Sequence, residues 1–199
     1  MADDKRGRED QARNEARRQR AREIAAELER GDEPEPPVEP AVLADLESAL
    51  DPLSFPATGT EVVEVAGDRE VEAIDGPYTV EQLVADTDTE RFDSPESVRV
   101  RVQRPTVATA MKRILEAAEA LRNEDLDDSQ RTAYEKTFRE LKAIDADDED
   151  EGIRAVADWI VDRIHDQGKL PGSRAVRRQA AEFCREHGYE IRNDEWLGI

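Results

Sequence analysis

The sequence predicts a mainly α fold: a module of short helices with at most a brief strand, then a helical C-terminal unit with a helix-turn-helix-like end. Two observations predict it. Between residues 53 and 97 one helix-start device occurs three times: an aromatic residue, then a hydroxyl cap, then a residue three positions on that can return the capping bond. Beyond residue 105, apolar residues recur at helical spacing in one stretch after another.

The chain opens with Asp3 to Arg30, rich in helix formers but with only Ile24 and Leu28 as large apolar residues. A helix without an apolar stripe is marginal, because packing supplies most helical stability. Residues 1–30 are therefore read as a charged arm, either a solvated helix or a disordered segment. Residues 31–41, containing "GDEPEPPVEP", form a proline-rich acidic linker that cannot be helical.

Residues 42–104 read as one module. Leu43, Leu46 and Leu50 suit the buried side of a short helix ending before Pro52. Phe55 with Thr58 and Glu61, and Tyr78 with Thr79 and Gln82, are capping boxes; Phe92 with Ser94 and Ser97 repeats the pattern with Ser97 as a poor return partner and Pro95 at the favoured first position. Helices should start near 59, 80 and 95. Arg69 to Ile74 alternates enough for a brief strand, with Gly76-Pro77 as the turn after it.

Residues 105–144 read as a helical hairpin. Val107, Met111, Ile114, Leu115, Ala118 and Leu121 stripe its first helix; Tyr134, Phe138, Leu141 and Ile144 stripe its second, with Asp128 or Ser129 as cap. Residues 145–151 hold six acids in seven positions but lack the spaced ligands of a calcium loop, so they read as a solvated linker. From 152 to 199 the pattern is helix, turn, helix. Ile153, Val156, Ala157, Ile160, Val161 and Ile164 face inward, with Trp159 beside them; Gly168 and Pro171 end the first helix, and Ser173 caps the second, which stops at Gly188. Tyr189, Ile191, Trp196 and Leu197 can fold back over the pair.

Composition sets the environment. Of 199 residues, 37% are hydrophobic and 39% charged, with 49 acidic side chains against 29 basic ones and a formal net charge of −20. Acid excess with scarce lysine suits concentrated salt, where carboxylates hold water and cations at the surface; a partly disordered acidic protein has a similar balance. No apolar run is long enough for a membrane helix, and the charged N-terminus lacks a secretory h-region, so the chain reads as soluble and cytoplasmic. The charge is uneven: residues 1–30 net +1, residues 165–199 net zero, and residues 31–164 carry −21. Such asymmetry directs attention to the ends.

Two segments, "FPATGTEVVEVAGDREV" and "YTVEQLVADTDTERFDSPESVR", resemble a haloarchaeal family of small acidic proteins of unknown function, whose members also begin with an arm like "MADDKRGR". The likeness covers the arm and about residues 53–102. It implies the cytoplasm of a halophilic archaeon, and it brings no activity and no functional residues. The chain continues past the resemblance, and whatever is particular to it can lie in that extension.

That extension carries the candidate site. At about 100° per residue, Val176, Ala180, Phe183, Cys184 and His187 share one side of the last helix, while Arg174, Arg177, Arg178 and Arg185 lie opposite on an arc of roughly 100°. A helix after a turn, with arginines beginning at its N-terminus, fits the manner in which a recognition helix enters a major groove, and arginine grips phosphate or guanine bidentately. Against this stand the long turn "GKLPGS" and the neutral local balance. The partner is therefore nucleic acid or another protein, with no membrane partner. Cys184 and His187 read as a small core residue and a boundary residue, not a metal site. The sequence has no nucleophile elbow, P-loop, dinucleotide fingerprint or zinc-protease motif, so it assigns no catalytic residue, no metal and no cofactor, and reads as non-enzymatic.

Overall fold

Leu43, Leu46 and Leu50, three and four residues apart, turn to one side of α1 (Ala44–Ala49) and are all buried. The structure, a computed structural model, describes residue 38 and residues 43–73, 76–121, 126–144 and 150–189. The charged arm, nearly all of the proline-rich linker, residues 145–149 of the acidic linker and the terminal residues 190–199 lie outside the described residues.

Capping chemistry places the next elements. Strand β1 (Ala57–Thr58) runs into α2 (Gly59–Ala66), where Thr58 Oγ1 accepts from the Glu61 amide at 3.2 Å and Glu61 returns the bond to the Thr58 amide at 2.8 Å. A hairpin of β2 (Glu70–Ala73) and β3 (Gly76–Thr79) follows, leading into α3 (Val80–Leu83) with the Thr79 amide donating to Gln82 at 2.9 Å. Strand β4 (Arg91–Phe92) precedes α4 (Pro95–Val102). All three helices begin at the positions expected.

Ser97 corrects the expectation that it is a poor partner. The Ser94 amide donates to Ser97 Oγ at 3.2 Å, and the Ser97 hydroxyl donates to the Ser94 carbonyl at 2.6 Å, so the short side chain closes the box by serving both backbone groups. Ser94→Ala should cost about 1 kcal/mol of stability, the usual worth of a hydroxyl cap. Urea denaturation followed by circular dichroism would measure it.

Gly76 and Pro77, expected as the turn after β2, belong instead to β3, with Pro77 opposite Glu72 and Gly76 opposite Ala73. The ladder alternates, and the Val80 amide bonded to the Arg69 carbonyl sets its phase, so the Pro77 nitrogen faces away from β2 and costs no ladder bond. The pairing of β1 with β4, Ala57 opposite Phe92 and Thr58 opposite Arg91, has no periodic signal in strands so short.

The remaining helices are α5 (Pro105–Glu119), α6 (Asp128–Ile144), α7 (Glu151–Gln167) and α8 (Ser173–Glu186). Asp127 caps α6, its carboxylate accepting from the Gln130 amide at 2.8 Å; the expected caps, Asp128 and Ser129, are already inside the helix. Likewise Ser173 is not the cap of α8 but its first residue. Gly172 takes the extended cap position without a side-chain bond, and its carbonyl accepts from Ala175 and Val176.

Two hydrophobic cores form. One gathers Leu43, Leu50, Val62, Val71, Leu83, Phe92, Val98 and their neighbours, from α1 to α4. The other gathers Met111, Ile114, Leu115, Tyr134, Phe138, Leu141, Ile153, Ile160, Val176 and Ala180 with further residues of α5 to α8. Helix α5 serves both: Ala108 lies in the first core while Val107 and Met111 lie in the second, and Ala85 crosses the other way. All described residues fall within one compact unit. The fold is mainly helical, with eight helices and two two-stranded sheets among the described residues. No helix among them is long and apolar enough to cross a membrane.

Candidate functional site

Helix α8 rests on α6 and α7 through Val176, Ala180, Ala181, Phe183 and Cys184, all buried. Its approach is set by side chains of α6. The Tyr134 hydroxyl donates to the Pro171 carbonyl, and Gln130 Nε2 donates to the same oxygen at 2.9 Å, so the turn before α8 is tied to α6. Gly168, at φ 62°, ends α7 in the left-handed conformation that glycine adopts without a Cβ penalty. At the far end of α8 the Tyr189 amide bonds to the Cys184 carbonyl and the Gly188 amide to the Arg185 carbonyl, a Schellman closure with Gly188 at φ 76°.

The arginine stripe proves narrower than its sequence spacing suggests. Arg174, Arg178 and Arg185 are exposed and, by their spacing, lie within about 40° of one another around the helix. Arg177 is half-buried and engaged, so it leaves the stripe. Ala181 is the reason. It falls between Arg177 and the other three around the helix and is fully buried, which shows that the packed side of α8 extends into the expected polar arc. Arg185 bends over Ala181 and donates from Nε to its carbonyl at 3.2 Å.

Arg174 and Arg178 take part in neither a salt bridge nor a side-chain hydrogen bond with described residues, and Arg185 meets no carboxylate among them. Three guanidiniums side by side with no carboxylate partner among the described residues are notable where acids outnumber bases 49 to 29. The arrangement can hold an anionic surface through charge-assisted bonds. It has no paired nucleophile and base.

Cys184 is buried, as expected of a small core residue. His187 is exposed, with Nδ1 2.9 Å from the Phe183 carbonyl and its ring stacked on Phe183 at 4.0 Å. Trp159 is half-buried, and the Arg163 guanidinium lies 4.8 Å from its ring centre.

One arginine of the first half has a role that spacing does not reveal. Arg101, on α4, keeps 8% of its side chain exposed and bonds Glu90 at 2.7 Å and Glu135 at 2.8 Å. Glu90, 1% exposed, also accepts the Ala85 amide at 3.0 Å. Burial by itself would lower the Arg101 pKa; Glu90 and Glu135 outweigh it and hold the group above its ordinary value. The triad joins the loop after α3, helix α4 and helix α6. In sequence, Arg101 looks like any charged residue of "VRVRVQRP", because Glu135 lies far along the chain.

A family of unknown function (DUF5789) matches residues 40–114, which span α1 to α4 and most of α5. No curated protein and no solved structure matches the chain.

Proposed function

With a matching family that assigns no activity, we propose that this is a non-enzymatic nucleic-acid-binding protein, acting as a regulator in the cytoplasm of a halophilic archaeon, with α8 as its contact element. One observation carries the reading: Arg174, Arg178 and Arg185 project side by side from a helix fastened to α6 and α7, with no carboxylate among the described residues to neutralise them. In this reading α7, the turn and α8 act as a helix-turn-helix-like unit, with the guanidiniums as phosphate and base-edge contacts.

The charge balance supports a second reading, a protein-interaction adaptor using the same face. Residues 165–199 are neutral overall, and in molar salt screening acts within about 3 Å and counterion release adds little affinity. Only close, well-formed bonds survive there, and a protein carboxylate meets that requirement as well as a phosphate.

The test uses the full chain in molar potassium chloride. Duplex binding is followed by fluorescence anisotropy, and co-purification from the host is repeated with and without nuclease. Replacing Arg174, Arg178 and Arg185 together with glutamine should lower duplex affinity at least tenfold and leave the far-ultraviolet dichroism unchanged. Protein-only, nuclease-insensitive association that these substitutions abolish would favour the adaptor. Binding of both kinds untouched by the substitutions would leave the α8 face as solvated surface.

A further inference from the structure

Where the first core's elements meet α6, apart from α8, lies an open cleft of about 520 Å³ between β4, α4 and α6. Arginines come to it from three elements: Arg91 from β4, Arg101 and Arg104 from α4 and its end, and Arg131 and Arg139 from α6. Its acidic lining is largely committed. Glu96 pairs with Arg99 at 3.0 Å and Glu135 with Arg101 at 2.8 Å, Arg104 and Arg139 are engaged, and the lining as a whole sets five arginines against Asp93, Glu96 and Glu135. A local cationic excess on the acid-dominated segment 31–164 is contrary to its surroundings.

Two of those arginines are weakly occupied. Arg91 is exposed, with no ion pair or side-chain bond to a described residue. Arg131 makes only a 3.4 Å bond to the Thr89 carbonyl and a 3.9 Å approach to Asp128, which is 99% exposed. Its buried Nε, like that of Arg101, has no acceptor among the described residues. The wall thus presents more donors than acceptors. Beside them Val100 is 47% exposed, one of the large apolar side chains left open to solvent, and it too lines the cleft.

We propose that this cleft binds a small phosphorylated molecule of nucleotide size, with its phosphate groups on Arg91 and Arg131 and its apolar ring over Val100. Three features select that class. The volume lies within the range of small-ligand sites, about 300–1,000 Å³. The cations lining it are all arginine, whose planar fork matches phosphate oxygens two at a time. Val100 offers an apolar surface that an inorganic anion cannot use. The wall is built to hold its shape, because Arg101 is anchored by Glu90 and Glu135.

Isothermal titration of the full chain with ADP and, separately, with inorganic pyrophosphate tests the assignment. ADP should bind saturably and at least tenfold more tightly than pyrophosphate. Arg91→Gln with Arg131→Gln should weaken ADP at least tenfold while the dichroism spectrum stays intact. Val100→Ser, a change at an exposed position, should weaken ADP severalfold and leave pyrophosphate unchanged. The α8 triple glutamine variant should bind ADP as the parent does, which separates this site from the proposed nucleic-acid face. Absence of ADP binding, equal affinity for pyrophosphate, or ADP binding indifferent to Arg91 and Arg131 would each overturn the proposal.

Discussion

Arg101→Ala should destabilise the protein by about 3–5 kcal/mol, the cost of breaking a buried ion pair from one side. The loss comes from the group left behind. Glu90, 1% exposed, would keep its Ala85 amide bond but lose the guanidinium opposite its other oxygen. A carboxylate stranded in that way must take a proton or draw in water. Urea denaturation at fixed salt measures the effect. Pairing Arg101→Met with Glu90→Gln should recover most of the loss, since a well-packed apolar replacement is often no worse than the buried pair itself. Arg113, bonded to Asp158 at 2.6 Å but with both side chains about half exposed, supplies the contrast. Its replacement by alanine should cost under about 1 kcal/mol. Equal effects at Arg101 and Arg113 would mean that the triad is not shielded from solvent.

Gly59→Ala should cost about 3 kcal/mol or more, at the upper end of what overpacking does. A Cβ at residue 59 would lie 2.1 Å from the Ala85 carbonyl oxygen and 3.1 Å from that of Thr87. Both are backbone atoms and have no rotamer by which to retreat. The loop also binds the start of α2: the Gly59 amide donates to the Glu90 carbonyl at 2.9 Å, and the Thr60 amide approaches the Thr87 carbonyl at 3.4 Å. Pushing the loop away would therefore break the bonds that seat α2 and displace Glu90 from Arg101. Thermal and urea unfolding of the variant give the magnitude, and amide chemical shifts of residues 85–90 report the displacement. A variant as stable as the parent would show that α2 and this loop do not approach so closely.

Arg101 and Gly59 mark where local pattern stops carrying information. Thr58 and Ser94 are recognisable as helix starts because each cap is satisfied within three residues of itself. Thr79 is recognisable because Gln82 three residues on accepts from its amide, although the Thr79 hydroxyl meets no partner among the described residues. The inward residues of α5 to α8 are recognisable because a 3.6-residue period is printed along the chain. Gly59 carries no such mark, since its need for a missing Cβ comes from a carbonyl 26 positions away. Strands β1 and β4 are two residues each, too short for alternation to register. Spacing misplaces the cap of α6 by one or two residues, because Asp127, Asp128 and Ser129 all carry a capping acceptor, and that of α8 by one, because Gly172 takes the cap position with no side chain to mark it.

The candidate face is legible in the same partial way. Helical angle alone places Arg174, Arg178 and Arg185 together. It also admits Arg177, which the packing of Ala181 removes. Angle around a helix says which residues share a side, not how wide a strip the neighbouring helices cover. The cleft is invisible in sequence for a stronger reason: its arginines come from three elements, Arg91 from β4, Arg101 and Arg104 from α4 and its end, and Arg131 and Arg139 from α6, and no single period relates them.

By itself, then, the sequence determined the mainly helical character, the starts of the capped helices, the apolar faces of α5 to α8 and the location of an arginine-bearing last helix. Those properties depend on atoms close along the chain. Tertiary structure decided that Arg101 is buried between Glu90 and Glu135, that Arg177 leaves the exposed stripe, and that arginines of β4, α4 and α6 share one cleft. Burial and proximity between distant residues are set by which surfaces pack together, and no local pattern encodes that pairing.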